Sequence, residues 1–259
     1  MLTHATMIEI NHEMIQTGLP DAKRSGEVVK LFLERADAEN TEFCAGKKHA
    51  DPMYPFFYVP PYNHGKKLKT ILGQTPKTQI FSANMYELEI LRLLKLLAPE
   101  NEKVNWMVAQ TLERLGTTCF GAQDDGVGEC FDTSLVVLRF LAVAAPEDTG
   151  WMKSRIDNYN RHVNDKKRPW FCSWYFWLCL SELPFSLAQD ETWKYKEAIL
   201  DWLCRKSLVM NSENDRVIHP VLFCMLRNIM VKYPEYAHIK GRLPYVDKKD
   251  GRLQFDMEK

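Results

Sequence analysis

The chain has 259 residues, 46% hydrophobic and 26% charged, with 34 Lys and Arg balancing 34 Asp and Glu. That composition excludes a disordered tail or a collagen-like fibre, and no run of about eighteen apolar residues exists to span a bilayer. A zero formal net charge argues against a sequence-independent grip on nucleic acid, which needs a phosphate-neutralising excess of Lys and Arg.

In chain order, apolar residues recur at spacings of three and four, and long alternating runs are nearly absent, so the chain reads as all-α. Residues 4–17 and 21–39 predict two amphipathic helices broken at Gly18-Leu19-Pro20. Residues 43–80 differ. Pro52, Pro55, Pro60, Pro61 and Pro76 forbid a long helix there, and the aromatics among them, Tyr54, Phe56, Phe57, Tyr58 and Tyr62, imply a segment that packs over something. The same stretch carries a small basic patch of Lys47, Lys48, His49, His64, Lys66, Lys67 and Lys69, suited to a phosphate or carboxylate, or simply to solvent. From residue 84 helices are expected at 84–97, 101–116, 130–144, 148–163, 170–182, 190–208 and 216–231, with a polar tail beyond 240.

The junction Leu96-Leu97-Ala98-Pro99-Glu100-Asn101 recurs as Val143-Ala144-Ala145-Pro146-Glu147-Asp148, its prolines 47 residues apart, and each is followed by a Trp-Met pair, Trp106-Met107 and Trp151-Met152. A proline stops one helix, and Asn or Asp beside the next start satisfies free N–H groups. The result is a helical hairpin repeated about every fifty residues. The first helix of each pair is apolar nearly all round and the second amphipathic, which marks inner and outer layers. The expected fold is an α/α toroid-like array, with a curved α-solenoid as the alternative. Its parts are an N-terminal hairpin (1–42), a Pro/aromatic connection (43–80), the hairpin-repeat domain (81–240) and a polar C-terminal tail (241–259).

The seven cysteines, Cys44, Cys119, Cys130, Cys172, Cys179, Cys204 and Cys224, are odd in number, form no CxxC and sit mostly among apolar residues. They read as buried thiols, not a disulfide frame. The start Met1-Leu2-Thr3-His4-Ala5 lacks the basic and apolar regions of a secretory signal, so a cytoplasmic location is expected.

Gln123-Asp124-Asp125-Gly126-Val127-Gly128-Glu129 resembles the Gln…Asp-Gly-Gly-Trp-Gly-Glu turns of terpenoid cyclases. The helix from Glu129 through Arg139 resembles the Asp-x-Asp-Asp-Thr-Ala-Met…Arg helix of the class II cyclases, and Ser173-Trp174-Tyr175 resembles the Trp-Tyr helix starts of the superfamily that includes protein prenyltransferases. The resemblance covers residues 80–235 and implies an α/α toroid with an apolar, aromatic central cavity for an isoprenoid-like ligand, used by a lyase or transferase. It also has a departure: Phe131 stands where the cyclases carry the aspartate that protonates the substrate. For the prenyltransferase zinc, Cys130 with Asp125, Asp132 and His219 would be the counterparts, but one Cys with scattered partners has no zinc spacing, so no metal and no cofactor is expected.

Inner-helix starts would gather Asp125, Glu129, Cys130 and Asp132 as candidate catalytic groups, and Tyr86, Glu87, Trp170, Trp174 and His219 as candidate ligand-binding groups. A helix start also favours a thiolate at Cys130, although no histidine lies near it in sequence to serve as base. Caps, turns and core filling account for the same residue types. Three functions therefore stand: a cavity for an apolar small molecule, a non-catalytic helical repeat binding a peptide or protein, and an (α/α) carbohydrate-active enzyme using two of Glu87, Asp125, Glu129 and Asp132 about 5–10 Å apart. Nucleotide, dinucleotide, zincin and serine-hydrolase signatures do not occur.

Overall fold

The computed structural model describes residues 2–42, 51–60, 68–122, 129–163 and 171–258, with the backbone alone described at 37–42, 129, 171, 172 and 205. Among the described residues are nine α-helices: α1 Leu2–Thr17, α2 Ala22–Glu42, α3 Gln79–Leu97, α4 Glu102–Leu115, α5 Glu129–Ala144, α6 Thr149–His162, α7 Phe171–Glu182, α8 Phe185–Arg205 and α9 Glu213–Met230. A 3-10 turn at Pro234–Ile239 and a small antiparallel hairpin, β1 Tyr245–Val246 with β2 Leu253–Gln254, follow. The class is all-α.

The repeated junctions are built alike. Asn101 caps α4 by accepting from the Val104 N–H at 3.1 Å, and Asp148 caps α6 by accepting from the Trp151 N–H at 2.9 Å. Each side chain satisfies a donor the helix leaves open, which stabilises by about 1 kcal/mol. Two helices start earlier than periodicity alone suggests. Thr78 caps α3 through the Phe81 N–H, and α8 begins at Phe185 directly after Pro184.

α1 packs on α9 and α3, α3 on α5, α5 on α7, and α7 on α9. These five inner helices close a ring. Ion pairs from Arg92 and Arg139 to Glu182, and hydrogen bonds from Arg227 to the Ile15 and Gln16 carbonyls, join their C-terminal halves. They therefore run in one direction, with their N-termini at the opposite end. Outside them, α2 lies on α1 and α3, α4 on α3 and α5, α6 on α5, and α8 on α7 and α9. Burial follows the two compositions: α3 is buried continuously from Ala83 to Leu94, whereas α4 buries chiefly the stripe Val104, Met107, Val108, Thr111 and Leu115. The N-terminal hairpin is part of the ring, since α1 supplies one of its staves.

An aromatic series crosses from helix to helix. Phe131 of α5 stacks on Tyr159 of α6 at 5.7 Å, Tyr159 on Phe176 of α7 at 3.7 Å, and Phe176 meets Tyr195 of α8 edge-on at 6.4 Å. Such pairs add about 0.5–1.5 kcal/mol each beyond their burial. The stretch read as a polar tail folds back onto the helices. Leu253 and Phe255 are buried, Leu253 exchanges backbone hydrogen bonds with Leu208, and Phe255 stacks on Phe223 of α9.

Candidate functional site

Tyr86, Glu87, Cys130, Asp132, Trp174 and His219 all lie in the first halves of inner helices, four of which contribute. Asp125 and Trp170 lie outside the described residues, and so does the side chain of Glu129, whose backbone opens α5. Cys130 and Asp132 stand half-buried in the first turn of that helix.

Glu87 is engaged in a clamp. Its Oε1 accepts from Arg114 Nη2 at 3.1 Å, while Oε2 accepts from the backbone N–H groups of Phe57 at 2.5 Å and Tyr58 at 3.1 Å. Arg114 also donates to the Asn84 amide oxygen and the Pro52 carbonyl, and the Asn84 amide donates to the Met53 carbonyl. Burial pushes the Glu87 carboxyl up and the Arg114 guanidinium down, each opposed by its partner, and for Glu87 also by the backbone donors. In this way α3 and α4 strap the Pro/aromatic stretch onto the ring. Tyr58 Oη completes the strap by donating to the Phe32 carbonyl of α2 at 2.9 Å.

Trp174 packs edge-on against Trp177 at 5.1 Å and Trp202 at 5.0 Å. Tyr86 lies 6.2 Å from the His4 ring. His219 Nε2 is 3.9 Å from Asp215 of its own helix, and its Nδ1 is buried without a hydrogen-bond partner among the described residues. Tyr86 and Trp174, with Phe131, are at most 3% exposed.

The centre of the ring holds a charge cluster that composition alone did not disclose. Arg139 of α5 donates to Glu89 of α3 at 2.5 Å, twice to Glu182 of α7 at 2.7 Å, and to Asn11 of α1 at 3.0 Å. Arg92 of α3 pairs with Glu182 at 2.7 Å and donates to Asn11 at 3.3 Å, and the Tyr175 hydroxyl donates to Glu89. Two guanidinium groups face two carboxylates, so the formal charges cancel. Burial pushes Glu182 up, but Arg139 and Arg92 more than reverse this and hold it below the usual carboxylate range. Burial, with Glu89 alongside, pushes Tyr175 well up, so its hydroxyl keeps its proton. Four helices are thereby locked by charge-assisted bonds, with Glu182 at the edge of the cluster, its side chain 20% exposed.

A groove of about 800 Å³ opens at the ring surface between α1, residues 69–73 and the start of α9. His4, Ile8, His12 and Gln16 share one face of α1 at four-residue spacing and line it. His4 Nε2 is 2.9 Å from the Lys69 carbonyl and His12 Nε2 2.6 Å from that of Ile71, and burial lowers the pKa of both imidazoles. Neutral rings that donate Nε2–H leave Nδ1 as an acceptor. Gly73, at φ +79°, lets the chain pass α9, since a Cβ there would lie 3.0 Å from Ile218. Ile8, Val217 and Ile218 give the groove an apolar part, and Glu9, Glu13, Glu213 and Lys69 its charges. Arg24 pairs with Glu9 and Glu13.

No group of three or more His, Cys, Asp or Glu side chains with metal-binding proximity occurs among the described residues, and no helix there is long and apolar enough to cross a membrane. No family model matches the chain, and no curated protein or solved structure matches it. Sequence reasoning passed over the groove histidines and the central cluster. The signal for the first was the shared face of His4, Ile8 and His12, and for the second the presence of Glu89, Arg92 and Arg139 within the most apolar stretches of their helices.

Proposed function

We propose that the chain is a closed ring of helical hairpins that binds a peptide or protein segment in the groove between α1 and α9. The observation that carries this reading is the open groove beside inner helices whose aromatic candidates Tyr86, Phe131 and Trp174 are buried. Glu89, Arg92, Arg139 and Glu182 pair with one another between the inner helices. The groove offers an apolar patch in which Val217 is 46% exposed, next to the carboxylate of Glu213. A partner segment with an aliphatic side chain for Ile8 and Val217 and a Lys or Arg for Glu213 fits that chemistry.

An isoprenoid-binding role is the second reading, favoured by the inner and outer helices with their N-termini at one end of the ring. The carbohydrate reading is weakened at Glu87, whose two oxygens already serve Arg114, Phe57 and Tyr58.

Selection of a displayed random peptide library on the full chain tests the proposal against a fluorescent farnesyl diphosphate. The expected result is basic-aliphatic peptides that lose binding at least about tenfold, or 1.4 kcal/mol, with Val217→Arg. Stoichiometric binding of the isoprenoid probe, abolished by Trp174→Ala in a variant that still folds, would replace peptide binding with the second reading.

A further inference from the structure

We propose that Cys119 and Cys130 are a peroxide-responsive dithiol that closes to an intramolecular disulfide at the junction of α4 and α5. Their sulfurs lie 3.1 Å apart, and both residues are half-buried, open enough for a small oxidant. Closure to a bond of roughly 2.0 Å needs only about 1 Å of approach.

The surrounding turn holds one partner in place. Trp151 Nε1 donates to the Gly121 carbonyl at 2.7 Å, Arg155 donates to the Phe120 carbonyl at 3.2 Å, and Thr118 Oγ1 accepts from the Gly121 N–H at 3.0 Å. Gly121 is required by this packing, because a Cβ there would lie 2.1 Å from the Leu115 carbonyl oxygen. Cys130, the second residue of α5, sits in the first helical turn, where the helix dipole favours negative charge. The other described thiols lack this setting. Cys179 is buried, with its thiol pushed well up by burial, Cys224 is pushed to about 11 for the same reason, and Cys204 is exposed on α8.

The chemistry balances with a peroxide as oxidant. One thiol, as thiolate, attacks a peroxide oxygen. The O–O bond breaks, water leaves, and the sulfur becomes a sulfenic acid. The second sulfur then attacks the first, the S–OH bond breaks, a second water leaves and the S–S bond forms. Two thiols lose two electrons and two protons, and the peroxide is reduced to two waters. A thiol reductant reverses the exchange.

The test uses the reduced full chain and hydrogen peroxide, followed by alkylation and tryptic mass mapping. No Lys or Arg lies between Leu115 and Arg139, so both cysteines fall in one peptide and a mass loss of two hydrogens there assigns the bond without ambiguity. The expected result is that this peptide becomes unalkylatable and two hydrogens lighter at a peroxide dose about tenfold below that which modifies Cys204. Dithiothreitol should restore both alkylation sites. Cys119→Ser should turn Cys130 into a sulfinic acid or a mixed disulfide. Full alkylation of Cys119 and Cys130 at the dose that modifies Cys204, or their recovery only in dimers or bonded to other cysteines, would overturn the proposal; both readouts come from the unmutated protein.

Discussion

Replacing Arg139 with Met tests how the ring is held together. Arg139 is the hub of the central cluster, donating to Glu89, Glu182 and Asn11 from a position 1% exposed. Met fills comparable volume, so the loss is chiefly electrostatic: Glu89 is left buried and Glu182 partly buried, with Arg92 as the remaining guanidinium of the cluster. Removing one partner of a buried pair costs about 3–5 kcal/mol, a large share of the roughly 5–15 kcal/mol that holds a domain folded. A second variant, Arg139→Met with Glu89→Gln, takes one charge from each side and leaves the Arg92–Glu182 pair, so it should recover about 1–3 kcal/mol relative to the sum of the single changes. Urea unfolding followed by far-UV circular dichroism measures all three. The pH course adds a signature. Glu182 is held below its ordinary value in the folded chain, so its contribution is complete above the unfolded pKa of about 4.3 and disappears as pH falls through the lower folded value. The unmutated protein should therefore lose more stability below about pH 4 than Arg139→Met, which has already lost the Arg139 part of this contribution and keeps that of Arg92. A cost under about 1 kcal/mol, or strict additivity of the two changes, would refute the account of the cluster as a charge-coupled lock.

Glu87→Gln keeps shape but leaves Arg114 as an uncompensated buried cation, so a loss of about 3–5 kcal/mol is expected; hydrogen exchange at Phe57 and Tyr58 should accelerate, and unchanged exchange would mean the strap is held elsewhere. Lys232 donates to the Leu180 and Leu183 carbonyls, and burial lowers its pKa to about 8. Between that value and the unfolded one near 10.4, the unfolded chain binds more protons, so stability should rise with pH across this window. Lys232→Met should flatten that rise in urea midpoints taken from pH 7.5 to 10.5, and a persisting rise would assign it to another group.

The layering was legible because a helix apolar on every side has nowhere to go but inside. Residues 135–141 and 174–180 state this in composition alone, and both are buried. The 47-residue spacing of Pro99 and Pro146 is also that of Arg92 and Arg139, so the charged hub could have been noticed as a repeated position. Its pairing could not, since Arg139 reaches Glu89 and Asn11 across 50 and 128 residues, and periodicity speaks only to neighbours on one helix. The start of α3 was missed for a local reason: Thr78 and Gln79 are ordinary loop residues until the Thr78 side chain is seen to cap Phe81. The C-terminal hairpin hid in strands of two residues, too short for alternation to register, although Asp250-Gly251, with Gly251 at φ +69°, is a turn signal. Among the site residues, Glu87 and Trp174 were found in inner helices as expected, but what they touch was set by the strap at 52–58 and by outer α8, neither of which their own surroundings in sequence reveal.

Arg227 grips the carbonyls of Ile15 and Gln16 across 212 and 211 residues. During synthesis α1 therefore meets its last neighbour in the ring only once α9 has been made. Contacts so distant are costly to close and slow to form, so the side of α1 that packs on α9 stays uncovered until that helix has been made, while α2 and α3 cover the rest earlier. A chain truncated before α9 would leave that side of α1 without its cover, an apolar surface of the kind that promotes aggregation.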